Sequence, residues 1–290
     1  MMPHFDSRKK EKGLKRFSLN RRQRTLWTIL VATVFLLLVV MGGALLDEDR
    51  IATNLGARNL MPSLDHFFGT DWLGRDMFTR TMMGLSLSMG VGLLGAVGST
   101  SIALLLGMAA ASMGKMADRF ISWLIDLFLS VPHLVTLILI AFTLGGGFKG
   151  IVIGLMLTHW PSLARVIRAE VMQIRSADYV RISRQMGKSR WWIALHHIFP
   201  HLIPQLLIGF MLMFPHVILH EAAVTFIGLG LSPHEPAIGI ILSESMKYLS
   251  SGMWWLAFFP GLCLLIIVRT FETIGESLRL LIDPTRAHEK

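Results

Sequence analysis

Residues Leu26–Leu46 read LWTILVATVFLLLVVMGGALL, twenty-one positions without a charge. A helix needs roughly 20 consecutive apolar residues to cross the hydrocarbon of a bilayer, and the core helices of soluble proteins keep a polar face. This stretch decides the fold class: the chain enters a membrane, where a spanning segment satisfies its own backbone hydrogen bonds by being helical. The run is too long for a signal peptide and no small-residue cleavage pattern follows it, so it is expected to remain as an anchor.

Working outward, breaks of Gly, Pro and charge separate five more apolar runs. The six expected spans lie near 26–46, 83–112, 120–144, 150–167, 203–228 and 254–275. Composition agrees, since 53% of the 290 residues are hydrophobic and only 16% are charged. The expected fold class is all-α, a polytopic membrane protein with about six transmembrane helices. Pro204 and Pro215, with Gly228 and Gly230 at the end of the run, predict a kink or break in the fifth span.

Charge sets the expected orientation, because Lys and Arg concentrate on the cytoplasmic side. The segment 1–25 carries Arg8, Lys9, Lys10, Lys12, Lys15, Arg16, Arg21, Arg22 and Arg24, and is read as a basic cytoplasmic tail with affinity for anionic lipid. Segment 168–202 adds Arg168, Arg175, Arg181, Arg184, Lys188 and Arg190. The segment 47–82 is read as an extracytoplasmic loop and 83–280 as the main transmembrane domain. The short 281–290 segment is read as a cytoplasmic C-terminus, so both termini are expected to be cytoplasmic. The net charge of +9 needs no nucleic acid to explain it once it is confined to the flanks of apolar runs. The lone Cys263 excludes an intrachain disulfide and a cysteine metal cage.

The loop 168–202 is a long, basic interruption between apolar runs. Asp178 is expected to cap a short helix carrying Tyr179, Val180, Ile182 and Met186 on one face, with Arg181, Arg184 and Gln185 on the other. Gly187 separates it from a second short helix capped by Ser189, with Pro200 and Pro204 marking entry to the fifth span. Such a helix–turn–helix can fit a groove on a soluble partner and act as a lever. Anchorage of Trp191 and Trp192 among lipid headgroups is the alternative.

These residues resemble the signature loop of ABC importer permeases. Arg181-Ile182-Ser183 stand at the place of its Glu-Ala-Ala triplet, Gly187 follows after three residues, and His197-x-Phe199-Pro200 follows nine residues later. The peptide and nickel branch of that family commonly has Arg at the first of these places. Gly69-Thr70-Asp71-Trp72-Leu73-Gly74-Arg75-Asp76-Met77-Phe78-Thr79-Arg80 is similar to the GTDxxGRDxxxR segment of the C-type subunit in the same branch. Phe226-Ile227-Gly228-Leu229-Gly230-Leu231 is similar to the SFIGLG stretch that closes the fifth span there. The resemblance implies a type I permease fold, a second permease subunit, two cytoplasmic ATP-binding subunits and an extracytoplasmic substrate-binding protein. Asp178, Arg181, Ile182, Ser183, Gly187 and Pro200 would then couple the chain to the ATPases. No Walker motif is present in the sequence, so ATP hydrolysis is expected on partner chains and no cofactor on this one.

Polar residues inside spans are expensive and default to functional candidates. His159 lies in the fourth span, and His216, His220 and Glu221 in the fifth. His216 and His220 are spaced i, i+4 and share a helical face, a spacing that can offer two nitrogens to one divalent ion. Taken singly, each histidine is expected to satisfy a carbonyl or line a wet cavity; three in six spans favour a role along the substrate path. The nickel-importing C-type subunit looks to share the His159-Trp160 pair and the His216–His220 spacing. That resemblance implies nickel, free or chelated, as transported substrate, with a dipeptide or oligopeptide importer as the alternative. His220-Glu221 also begins an HExxH metallohydrolase string, but Val224 stands where its second histidine belongs.

Overall fold

The structure, a computed structural model, describes residues 21–282. The basic tail up to residue 20 and the last eight residues lie outside the described residues. Ten α-helices make up nearly all of it: α1 (Arg21–Leu45), α2 (Met77–Ser112), α3 (Lys115–Ser130), α4 (His133–Thr143), α5 (Gly147–Ser176), α6 (Asp178–Gln185), α7 (Arg190–Ile193), α8 (Phe199–Phe226), α9 (Ile238–Met246) and α10 (Trp255–Ile282). No strand occurs among the described residues.

α2 and α5 form the centre. Gly92, Gly95, Ser99, Ala103, Gly107 and Ala110 recur at three- or four-residue spacing along the buried face of α2. Small residues let two backbones approach closely where lipid supplies no hydrophobic drive for helix pairing. A Cβ on Gly107 would stand 2.9 Å from the Ala164 carbonyl oxygen, and one on Gly95 the same distance from Leu155 Cβ. Ser99 Oγ donates to the carbonyls of Leu155 (3.0 Å) and Met156 (2.8 Å), fixing the register of the pair. α8 and α10 pack around this centre. α1 attaches to α2 and α10 through Ala32, Leu36 and Val39, a single buried stripe, while the rest of its apolar surface faces outward.

The first, second, fourth, fifth and sixth expected spans correspond to α1, α2, α5, α8 and α10, all long and apolar enough to cross a membrane. The third does not form one helix. α3 and α4 meet at a 99° bend over Val131-Pro132. Proline disfavours helical geometry in the residue before it, and Val131 is extended (φ −92°, ψ 140°). The two pieces together still carry the chain from the α2 C-terminus to the far end, where the Gly147 N–H donates to the Gly230 carbonyl. The fifth span runs as helix through Pro204 and Pro215, without a break at either. Loop 168–202 is shorter than expected, because α5 stays helical to Ser176.

At the end where α2 begins, residues 46–76 fold over the bundle. Asp71 Oδ2 accepts from Arg75 Nε (2.6 Å) and Arg80 Nη1 (2.7 Å), and Glu244 Oε2 of α9 accepts from both arginines at 3.1 and 3.0 Å. Asp76 caps α2 through the Thr79 N–H (2.9 Å) and pairs with His66 Nδ1 (2.9 Å). Arg269 pairs with Glu272 at 2.5 Å, as an i, i+3 bridge predicts. Asp126 pairs with Arg165 at 2.7 Å on an exposed face.

Candidate functional site: a histidine-lined cavity

A cavity of about 430 Å³ opens between the α3–α4 bend, α5 and α8. His133, His159, His216 and His220 line it, with Thr158, Ser162, Leu163, Leu212 and Met213 among its other walls. Each histidine has a local reason to be there. His133 is the first residue of α4, delivered into the bundle by the turn at Pro132. His159 sits on the buried face of α5, and His216 and His220 follow each other one turn apart along α8.

The hydrogen bonds set the tautomers. His159 Nδ1 lies 3.1 Å from the Leu155 carbonyl oxygen, so Nδ1–H is the donor and Nε2 carries the free lone pair. That Nε2 is 3.0 Å from His220 Nδ1, which must therefore donate to it. The His133 ring packs on both, with centroids 4.2 Å from His159 and 4.4 Å from His220. Neither nitrogen of His133 finds a hydrogen-bond partner among the described residues.

The structure thus brings three of the sequence candidates, His159, His216 and His220, to one cavity and adds His133. His216 is exposed and lines the wall, apart from the closest trio. Glu221 is not brought to the cavity. It is fully buried on another face of α8, where Oε1 accepts from Thr225 Oγ1 at 2.8 Å, and that hydroxyl accepts from the Leu231 N–H (3.2 Å). Its place is in the connection between α8 and the 228–238 segment. His133 carried a readable signal: an imidazole directly after Pro132, inside an apolar run.

At the opposite end from the GRD segment, α6 and α7 project beside the ends of α2 and α5. Gly187 separates them at φ +80°, a conformation that other residues adopt only with strain. Ser189 Oγ accepts from the Trp192 N–H (3.1 Å), so the expected cap is present. Asp178 is the first residue of α6, not its cap, which is Ala177. The second short helix passes through a π-helical turn, Ala194–Ile198, into α8, and Pro200 stands in the first turn of α8. Ser183 and His197 tie the two arms together, with Ser183 Oγ 2.9 Å from His197 Nε2. Ile182, Met186 and Trp191 are left exposed, while Arg181 and Asp178 stand at the surface 4.0 Å apart.

A polytopic helical bundle, with a cavity between its spans and a projecting two-helix arm at one end, has the architecture of a transport permease. The chain belongs to the family described as "Binding-protein-dependent transport system inner membrane component", whose model matches residues 103–287. It is 31% identical to the dipeptide transport system permease protein DppC of Bacillus subtilis (strain 168), over 88% of this chain and 81% of that protein. A putative peptide transport system permease protein of Brucella suis biovar 1 is 33% identical, over 88% and 86%. Among solved structures, an inward-facing form of the MetNI methionine ABC transporter superposes with a TM-score of 0.58 at 18% identity, covering 71% of this chain and 98% of that one. The fold is therefore that of an ABC importer permease, and the chain is a multi-pass inner-membrane protein. It is a membrane subunit of an importer of this class, and its relatives are named as permeases.

Proposed function

We propose that this chain is a permease subunit through which a peptide-class ABC importer moves dipeptides or oligopeptides. The observation that carries the reading is the 30–31% identity, across most of the chain, to permeases named for dipeptide, D,D-dipeptide and oligopeptide transport. A second permease would complete the translocation path. Two ATPases would engage the α6–α7 arm through Asp178, Arg181, Ile182, Ser183 and Gly187, with Pro200 at the foot of the arm. A binding protein would deliver substrate at the opposite end. The basic residues of the arm favour placing it, and both termini, in the cytoplasm.

Nickel, as ion or chelate, is the second reading. The specific feature in its favour is the set of His159, His216 and His220 along one cavity, since imidazole suits nickel. Glu221, turned away from the cavity, supports neither substrate. Uptake of a radiolabelled dipeptide and of radioactive nickel, compared in cells with and without this chain, tests the reading. Loss of dipeptide uptake on deletion is expected; intact dipeptide uptake with lost nickel uptake would transfer the assignment to the metal.

A further inference from the structure

His133, His159 and His220 come from three different helices, α4, α5 and α8, yet their ligand nitrogens all lie within 4.8 Å of one another. Nitrogens bound tetrahedrally to one ion at about 2.0–2.1 Å stand roughly 3.3 Å apart. Small ring rotations therefore separate the trio from a common centre. His159 is already oriented as a ligand: its Nδ1–H is held by the Leu155 carbonyl, which aims the lone pair of Nε2 inward. His133 has two ring nitrogens without a protein partner, and so has coordination capacity to give.

We infer that His133, His159 and His220 form a site for a late first-row divalent cation of the nickel, copper and zinc class, open on its remaining coordination positions to the cavity. Three imidazoles without a carboxylate or thiolate suit these ions and not magnesium or calcium. The entering ion takes the place of the proton between His159 Nε2 and His220 Nδ1, and His220 shifts to its other neutral tautomer, with no net change in charge on the rings. The open side, walled by Leu163, Leu212 and Met213, has room for a small organic ligand. This part of the inference rests on the peptide-class reading: the cargo is a metal held by a peptide-like chelator whose amine, amide and carboxylate atoms complete the coordination. The site also has a means of release. His133 rides on α4 beyond the bend at Pro132, so a shift of α4 relative to α5 and α8 withdraws one of three ligands.

The test uses the assembled importer in lipid nanodiscs, with nickel(II) alone as probe. One ion per copy of this chain is expected, with X-ray absorption giving imidazole nitrogens at about 2.0–2.1 Å. His133→Gln and His220→Ala should each weaken binding by more than about a hundredfold, beyond the roughly 10–100-fold that loss of an outer partner of a ligand costs. His196→Ala, on the exposed arm, should leave it unchanged. Absence of bound nickel, a spectrum without imidazole, or binding indifferent to both substitutions overturns the site. Because the absorption spectrum is read on the unsubstituted complex, a variant that fails to assemble does not protect the inference. Uptake of metal-free and nickel-loaded dipeptide separates it from the reading beneath it. Import of metal-free dipeptide by a complex that binds no nickel sinks the site and leaves the peptide reading standing. Nickel at the three histidines without import of either dipeptide does the reverse.

Discussion

Arg80 is only 4% exposed yet lies among charges it can satisfy: Asp71 on its own segment and Glu244 on α9. Removing one partner of a buried ion pair strands the other, at a cost of about 3–5 kcal/mol. Arg75 also reaches both carboxylates, so Arg80→Ala is expected to fall near the lower figure, about 3 kcal/mol. A lowered thermal midpoint of the purified protein, followed by tryptophan fluorescence, checks this; an unchanged midpoint would mean the network contributes nothing. The GRD segment was legible in the sequence as a motif, but its partner was not. Glu244 lies 164 residues beyond Arg80, and no local spacing rule connects them. The same limit applied to the histidines. The i, i+4 rule finds His216 and His220 because both lie on one helix. It cannot find the approach of His133 and His159, which depends on how α4 and α5 fold against α8.

At the scale of elements, the spans were legible because hydropathy needs no tertiary information. What hydropathy misses is a bend inside an apolar run. Residues 120–144 are apolar on both sides of Pro132, so the run reads as one span although the helix turns by 99° within it. Conversely, Pro204 and Pro215 sit inside α8 without breaking it, so a proline alone does not locate a break. The centre of the bundle depends on the small-residue face of α2. Gly107→Leu would drive a side chain into the Ala164 carbonyl and Ile167, and overpacking of this kind costs about 1–3 kcal/mol. Gly90, on the same helix, has no atom within 4 Å of an added Cβ. Gly90→Leu should therefore stay within about 0.5 kcal/mol of the parent. Thermal midpoints of the two variants, compared in one detergent, test whether α2 and α5 pack as described; equal losses would contradict it.

For the whole molecule, six passages between two ends account for the described residues. Gly43 of α1 approaches Ser86 near the start of α2, so residue 21 lies at the end where α2 finishes. α10 begins beside Met77 and Ile241 and runs back to that same end. The α6–α7 arm projects there as well, beside Ser112 and Arg175. Since α7 runs without interruption into α8, a push on the arm passes along the helix that carries His216 and His220. On the proposed function the arm would link an ATP-hydrolysing partner to the cavity, and Met186, 74% exposed, is among its most exposed apolar residues. The most direct measurement starts from Cys263→Ser, which removes the only cysteine. Met186→Cys or, at the other end, Leu64→Cys is then added, and a thiol-directed photoreactive cross-linker is applied to the assembled importer. The account predicts a covalent adduct between position 186 and the ATP-hydrolysing subunit and none from position 64. An adduct from position 64 with none from position 186 would contradict it.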